Sequence, residues 1–303
     1  MYDLIIIGSG PAGLSAAIYA SRAGLNFIII EENIAGGQII NTFEIDNYPG
    51  IPRSSGIELA GKMEDHARRL CDKSFIDDSV ESAELAGTVK KIHTVSGSVY
   101  ESRTVIIATG ATHKRLMIKG EDDFNGKGVS YCATCDGAFF KGKNVTVVGG
   151  GNTAAMDALF LSGVCSNVRI IHRRNVLRAD KVLQDRLFTT DNIEVIWNTG
   201  VEEICGSDKV TGVVVKDLKS GTDRLLETDG VFVAVGITPM ADPFGDVLET
   251  DKDGYIIADE TCASSIPGVF AAGDVRSKAL RQVVTAVADG ANAVSGVSRY
   301  LIG

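Results

Sequence analysis

A chain of 303 residues has room for about two domains of roughly 150 residues each, and its balance of 45% apolar and 23% charged residues excludes a disordered or fibrous chain. Thirty basic against 39 acidic residues leave a net charge of −9, which argues against a nucleic-acid backbone or an anionic membrane surface as partner. Glycine is over-represented, with 34 residues against 6 prolines and no collagen period, so the excess belongs at tight turns and close backbone approaches.

Met1-Tyr2-Asp3 lacks the basic n-region of a secretory signal, and no apolar run reaches the ~18 residues of a spanning helix, so a soluble cytoplasmic protein is expected. Leu4 to Ile7 reads as a strand buried on both faces. It leads into Gly8-Ser9-Gly10-Pro11-Ala12-Gly13, a helix to about Ala23 and a second strand, Phe27 to Ile30. Strand, glycine turn, helix and strand form the context that a dinucleotide fingerprint requires. Gly8 permits the turn, Gly10 lets the backbone approach a pyrophosphate, and Gly13 lets helix and strand pack closely. Glu31, with Glu32 beside it, closes the second strand where a carboxylate accepts a ribose hydroxyl.

Further along, Tyr131-Cys132-Ala133-Thr134-Cys135-Asp136-Gly137 contains the one C-x-x-C pair; Cys71, Cys165, Cys205 and Cys262 read as small, mostly buried apolar residues. Zinc needs about four ligands, and neither a second C-x-x-C nor an H-x-x-x-H completes a set. A structural staple over so short a span restrains little of the unfolded chain. A redox dithiol fits best, because close spacing lets one thiolate attack and the other resolve the mixed disulfide. Asp136 is placed to exchange the proton, and a plain turn residue before Gly137 is its competing role. Phe139 and Phe140 offer a candidate docking patch, with core burial as the ordinary fate of such residues.

The first unit then repeats. Val145 to Val148, Gly149-Gly150-Gly151-Asn152-Thr153-Ala154, a helix to about Leu161 and the strand Val168 to Ile171 align without a gap at an offset of 141 residues, Gly8 to Gly149. Where the first copy has Glu31 the second has His172, followed by Arg173, Arg174 and Arg178. A carboxylate there would repel a 2′-phosphate, whereas guanidiniums bind it in charge-assisted fashion. The first site therefore reads as FAD or NAD and the second as NADP. Two dinucleotides and a dithiol imply a two-electron circuit, since a nicotinamide gives a hydride, a disulfide takes two electrons and a flavin mediates between them. Metal sites are not expected from four scattered histidines.

Taken together, these motifs resemble the low-molecular-weight thioredoxin reductases over essentially the whole chain. The first glycine motif is similar to that family's first FAD motif, and Gly36-Gly37-Gln38 and Asn47-Tyr48-Pro49-Gly50 look like its flavin-side loops. Ala108-Thr109-Gly110 looks like the exit from the FAD domain, and Cys132 to Gly137 like the redox centre. Gly149 to Ala154 and His172 to Arg178 resemble the NADPH motifs, and Gly273-Asp274-Val275 the second FAD motif, with Asp274 on the ribityl chain. Arg281-Gln282 would sit against the flavin ring; helix N-terminal turn and cap is their generic alternative. One departure is Met156, where the family often carries an acid, although Asp157 follows.

The resemblance implies an α/β fold of two Rossmann-like, three-layer nucleotide-binding domains, the NADPH domain inserted into a discontinuous FAD domain. Residues 1–114 and 242–303 would form the FAD domain and 115–241 the NADPH and disulfide domain, joined by a two-strand hinge near 110–119 and 235–242. The smaller domain is expected to rotate, since dithiol and nicotinamide must each meet the flavin. The implied activity carries electrons from NADPH through FAD to the Cys132–Cys135 disulfide, Cys135 being nearest the flavin. Cys132 then attacks oxidised thioredoxin or a thioredoxin-like protein. A homodimer is implied too. A ferredoxin-linked reductase of the same fold and a non-catalytic flavin-binding partner protein remain as alternatives.

Overall fold

A computed structural model describes residues 1–42 and 45–303. The chain divides into two compact units, Met1–Thr112 with Thr238–Gly303, and His113–Ile237. The second unit is thus an insertion in the sequence of the first.

In the first unit β1 (Tyr2–Ile7), α1 (Pro11–Arg22) and β2 (Phe27–Glu31) are followed by α2 (Gly56–Cys71) and the strands β3 (Phe75–Asp77), β4 (Val80–Glu84), β5 (Lys90–Thr94) and β6 (Val99–Ile107). A Ser55–Glu58 capping box starts α2. Strand order is β3-β2-β1-β6-β5-β4, parallel from β3 to β6, with β4, β5 and β6 an antiparallel meander. The apolar run of β1 is continuous because both faces are covered: Leu4 and Ile6 belong to one buried layer, Ile5 and Ile7 to the other. Burying such side chains stabilises by about 1.5–3 kcal/mol each. Exposed ion pairs such as Arg68–Glu64 contribute about 0.2–1 kcal/mol. Apolar patterning therefore determines the sheet.

The chain leaves the first unit along β7 (Ala111–His113). The second unit holds β8 (Val129–Ser130), α3 (Ala133–Asp136), β9 (Asn144–Gly149), α4 (Asn152–Ser162), β10 (Asn167–Ile171), α5 (Lys181–Phe188), β11 (Ile193–Ile196), β12 (Thr199–Gly206), β13 (Val210–Asp217), β14 (Asp223–Glu227) and β15 (Gly230–Ala234). A parallel sheet, β11-β10-β9-β15-β8, is covered by α4 on one face and by the antiparallel sheet β12-β13-β14 on the other. The internal repeat extends to strand register: Leu4 pairs with Phe27 and Val145 with Val168, each member 141 residues from its counterpart.

The return crossing is β16 (Ile237–Pro239), which pairs with β7. β17 (Val269–Ala271) then extends the first sheet alongside β6, and α6 (Val283–Ile302) ends the chain. Small residues bring α6 against α1: a Cβ added at Gly290 would stand 2.1 Å from Ala12 O. Among the cysteines outside the C-x-x-C pair, Cys165 and Cys262 are buried as expected, while Cys71 and Cys205 are only half-buried.

Candidate active site

β1 ends at Ile7, and Gly8 follows it at a φ of +98°, where a Cβ would also lie 2.6 Å from Ala108 O. Gly13 packs onto that turn, its missing Cβ falling 1.8 Å from Gly8 O. Gly10 differs, since an added Cβ would meet only Gly37 Cα at 3.8 Å. Packing does not require glycine there, and its absence of a side chain leaves the backbone at the start of α1 approachable. Pro11 takes the first helical position, Ala12 is buried, and no side chain caps the helix, so its first N–H groups face outward for an anion. Glu31 is tied back to this turn, Oε2 accepting from Ser9 N at 2.6 Å and Ser9 Oγ at 2.8 Å. Glu32 is exposed and accepts from Ser79 Oγ at 2.6 Å. Gly36 donates its N–H to Ser9 O at 2.9 Å, and Gly37 passes against Gly10. Gln38 is exposed in the short turn that follows.

The other half of this site comes from the C-terminal segment of the same unit. Gly273 follows β17, and a Cβ on it would stand 2.9 Å from Ala12 Cβ, so the two glycine turns abut. Asp274 Oδ1 is buried without a hydrogen bond, 3.3 Å from Lys278 Nζ. Arg281 Nε is likewise buried and unpartnered, its guanidinium stacked 3.8 Å above the Tyr255 ring. Gln282 caps α6, as the generic reading has it, and also accepts from Asn47 Nδ2 at 2.9 Å, joining residues 235 apart. Asn47 lines a cleft of about 330 Å³ with Asp46, Tyr48, Pro49, Gly50 and Pro52. Thr109 Oγ1 donates to Met240 O at 2.5 Å, and Gly110 O accepts from Met240 N.

Sequence reasoning passed over the group beneath Gly273. Asp289, 5% exposed, accepts from Gly273 N at 3.0 Å, from Arg276 at 2.9 and 3.0 Å, and from Lys278 Nζ at 3.1 Å. Its signal was available: Asp289 is the single acidic residue in α6.

In the second unit Cys132 and Cys135 are joined as a disulfide, with Cα atoms 5.3 Å apart. Cys132 is the N-cap of α3, and its Sγ accepts from Cys135 N at 3.2 Å. Burial pushes the Asp136 carboxyl above the usual aspartate range, partly offset by a 2.6 Å hydrogen bond from Ser130 Oγ to Oδ2. The other oxygen, Oδ1, is buried with no partner. Tyr131 is anchored from its hydroxyl to Glu121 Oε1 at 2.9 Å, and Glu121, 1% exposed, also accepts from Leu116 N and Met117 N. Neither Ser130 nor Glu121 stood out in the sequence, because serine and glutamate are common and their partners lie across a turn. Phe140 is buried against Phe232, whereas Phe139 is 37% exposed.

The second glycine turn repeats the first. Gly149 is packed, its Cβ position 2.4 Å from Ala234 O, while the space at Gly151 is open, as at Gly10. Asn152 bonds Asp180 reciprocally at 2.9 and 2.8 Å, tying the starts of α4 and α5, and Thr153 is exposed. His172 is buried at 5% exposure, its ring where a Gly150 Cβ would be and Nε2 2.9 Å from Val176 O. Burial lowers its pKa, partly offset by backbone hydrogen bonds at Val176 and Gly149 and reinforced by the Arg178 and Arg174 charges nearby. Arg173, Arg174 and Arg178 are exposed, and among the described residues no ion pair neutralises them. On α4, Met156 is 52% exposed, and burial pushes the Asp157 carboxyl up to about 7.

Two glycine turns that open helices without side-chain caps, with a disulfide beside a buried carboxyl, define a nucleotide-dependent disulfide oxidoreductase. Comparison with known proteins agrees: the family described as pyridine nucleotide-disulphide oxidoreductase matches residues 2–290. The chain is 44% identical over 302 residues to a thioredoxin reductase of Listeria monocytogenes, covering 99% of this chain and 94% of that protein. It is 43% identical to one of Bacillus subtilis, covering 99% and 95%. A crystal structure of thioredoxin reductase from Streptococcus pyogenes superposes with a TM-score of 0.95 at 46% identity, covering 100% of this chain and 98% of that one. The chain belongs to the pyridine nucleotide-disulphide oxidoreductase family and, within it, to the low-molecular-weight thioredoxin reductases. Such an enzyme works with a flavin and a nicotinamide nucleotide.

Proposed function

We propose that the protein reduces the disulfide of thioredoxin or a thioredoxin-like protein with NADPH as donor, FAD as carrier and Cys132–Cys135 as the relay. The observation that carries this reading is the set of buried polar atoms left without hydrogen bonds. Among the described residues they are Asp136 Oδ1, Asp274 Oδ1 and Arg281 Nε. Such atoms are rare in folded proteins and call for a partner or a chemical role. Two lie at the second flavin-type turn and one beside the disulfide, and this placement supports the reading.

The residues fit the groups they would hold. Gly8, Gly10 and Gly13 at the start of α1, with Glu31, would bind the FAD pyrophosphate and ribose, and Asp274 and Arg281 would take the flavin side. Gly149 and Gly151 at the start of α4 would bind the NADPH pyrophosphate, and Arg173, Arg174 and Arg178 its 2′-phosphate. When bound, these groups supply hydride transfer and its passage as two electrons to the disulfide. Cys132 attacks the substrate disulfide, Cys135 resolves the mixed disulfide, and Asp136, whose carboxyl burial pushes above the usual range, exchanges the proton. The family resemblance extends the reading to a cytoplasmic homodimer.

Steady-state reduction of a thioredoxin panel, with NADPH, NADH and reduced ferredoxin as rival donors, tests the assignment. Cys135→Ser should abolish NADPH-dependent thioredoxin reduction while the flavin still bleaches on mixing with NADPH. A wild-type rate in that variant would overturn the relay. A ferredoxin-dependent rate that survives loss of both cysteines would favour the ferredoxin-linked reading, and a flavin left unbleached the non-catalytic one.

A further inference from the structure

Ser130, the last residue of β8 and 4% exposed, joins the two ends of the redox turn through one hydroxyl. Its Oγ accepts from Cys132 N at 3.1 Å and donates to Asp136 Oδ2 at 2.6 Å. Cys132 O, at 3.3 Å, competes for the same proton, and a hydroxyl has only one, which goes to the shorter contact. Asp136 Oδ2 is therefore held as an acceptor, while Oδ1 is buried with nothing to bond.

We propose that Ser130 is a positioning residue that reserves Asp136 Oδ1 as the site of the exchangeable proton and ties that carboxyl to the backbone of Cys132. The proposal deepens, and rests on, the reading of Asp136 as proton carrier. Opening the disulfide with two electrons from the enzyme's reductant leaves two sulfur anions. One takes the Oδ1 proton, giving a thiol, a thiolate and the Asp136 carboxylate, and solvent later restores the proton. The Ser130 hydroxyl stabilises the carboxylate formed, so the proton leaves more readily than burial alone would allow.

Few other charges bear on this carboxyl. The packed helix α4 carries only Asp157, Gly137–Phe140 carry none, and Lys141 and Lys143 follow beyond them. Tyr131 directs its hydroxyl to Glu121. The influences on Asp136 are burial, upward, and Ser130, downward.

The test is the pH dependence of thioredoxin reduction by holoenzyme, for wild type, Ser130→Ala, Ser130→Thr and Asp136→Asn. Asp136→Asn should erase the ionisation limb that the carboxyl produces. Ser130→Ala should move that limb upward by about one to two pH units, the range expected for losing a hydrogen bond to a charged group. Ser130→Thr, which keeps the hydroxyl, should return it close to the wild-type position. A limb that Asp136→Asn erases but Ser130→Ala leaves in place would overturn the role of Ser130 and spare that of Asp136. A limb that survives in Asp136→Asn would remove both.

Discussion

Asp289→Asn should destabilise the first unit and loosen its hold on FAD. The side chains of Asp289 and Lys278 are each 7% exposed and that of Arg276 14%, so solvent screens their contacts little. The substitution leaves Lys278 buried with Asp274 at 3.3 Å, and Arg276 with only the more distant charge of Asp259. It also weakens the acceptor that anchors Gly273 N. Removing one partner of a buried charge pair costs about 3–5 kcal/mol. For a unit of this size that corresponds to a fall of about 6–20 °C in unfolding temperature. Thermal unfolding of holoprotein and apoprotein, together with FAD titration of the apoprotein, measures both consequences. The pH dependence carries a sign as well. Burial alone would raise the Asp289 carboxyl, but the Arg276 hydrogen bond and the Arg276 and Lys278 charges overcome it and hold it below the usual range. A depressed carboxyl contributes stability above its unfolded pKa of about 3.9 and loses it as pH falls through the folded value. The gap between wild type and variant should therefore close in acid below about pH 4. Equal unfolding temperatures at neutral pH would refute the premise that this carboxylate neutralises the two cations.

Arg173→Ala with Arg174→Ala should raise KM for NADPH by about 10–100-fold, with far less effect on NADH, since only the former carries the 2′-phosphate. An unchanged preference in steady-state kinetics would sink the assignment of that site to NADPH. Asp157→Asn should change stability in a pH-dependent way. The unfolded carboxyl ionises near pH 4, whereas burial keeps the folded one protonated to about 7. Wild type should lose stability relative to the variant as pH rises between those values and not beyond them. A pH-independent gap in urea unfolding would show that burial does not govern this group.

The elements that the sequence made legible are those written in short-range spacing. Leu4 to Ile7, continuously apolar, and Val145 to Val148, apolar but for Thr146, announce two-face burial, and the glycine spacings after them announce turns that open helices. The repeat at 141 residues carries over to strand pairing because register follows from the same apolar runs. C-x-x-C spacing likewise brought Cys132 within bonding reach of Cys135. Environment was another matter. His172 stood beside Arg173 and Arg174 in the sequence, yet its ring is buried against Gly150 while the guanidiniums are exposed. Asn47 gave no sign of meeting Gln282, nor Gly273 of resting on Ala12 and being held by Asp289.

What the sequence by itself determined was therefore the kind of protein: two glycine turns for dinucleotides, a dithiol between them in the chain, and a basic cluster after the second. The tertiary structure decided which buried polar atoms have hydrogen bonds and which, including Asp136 Oδ1, Asp274 Oδ1 and Arg281 Nε, have none. The physical reason is range. Sterics and strand register act over a few residues, whereas desolvation and hydrogen-bond partnership depend on whatever the fold packs against a group from far along the chain.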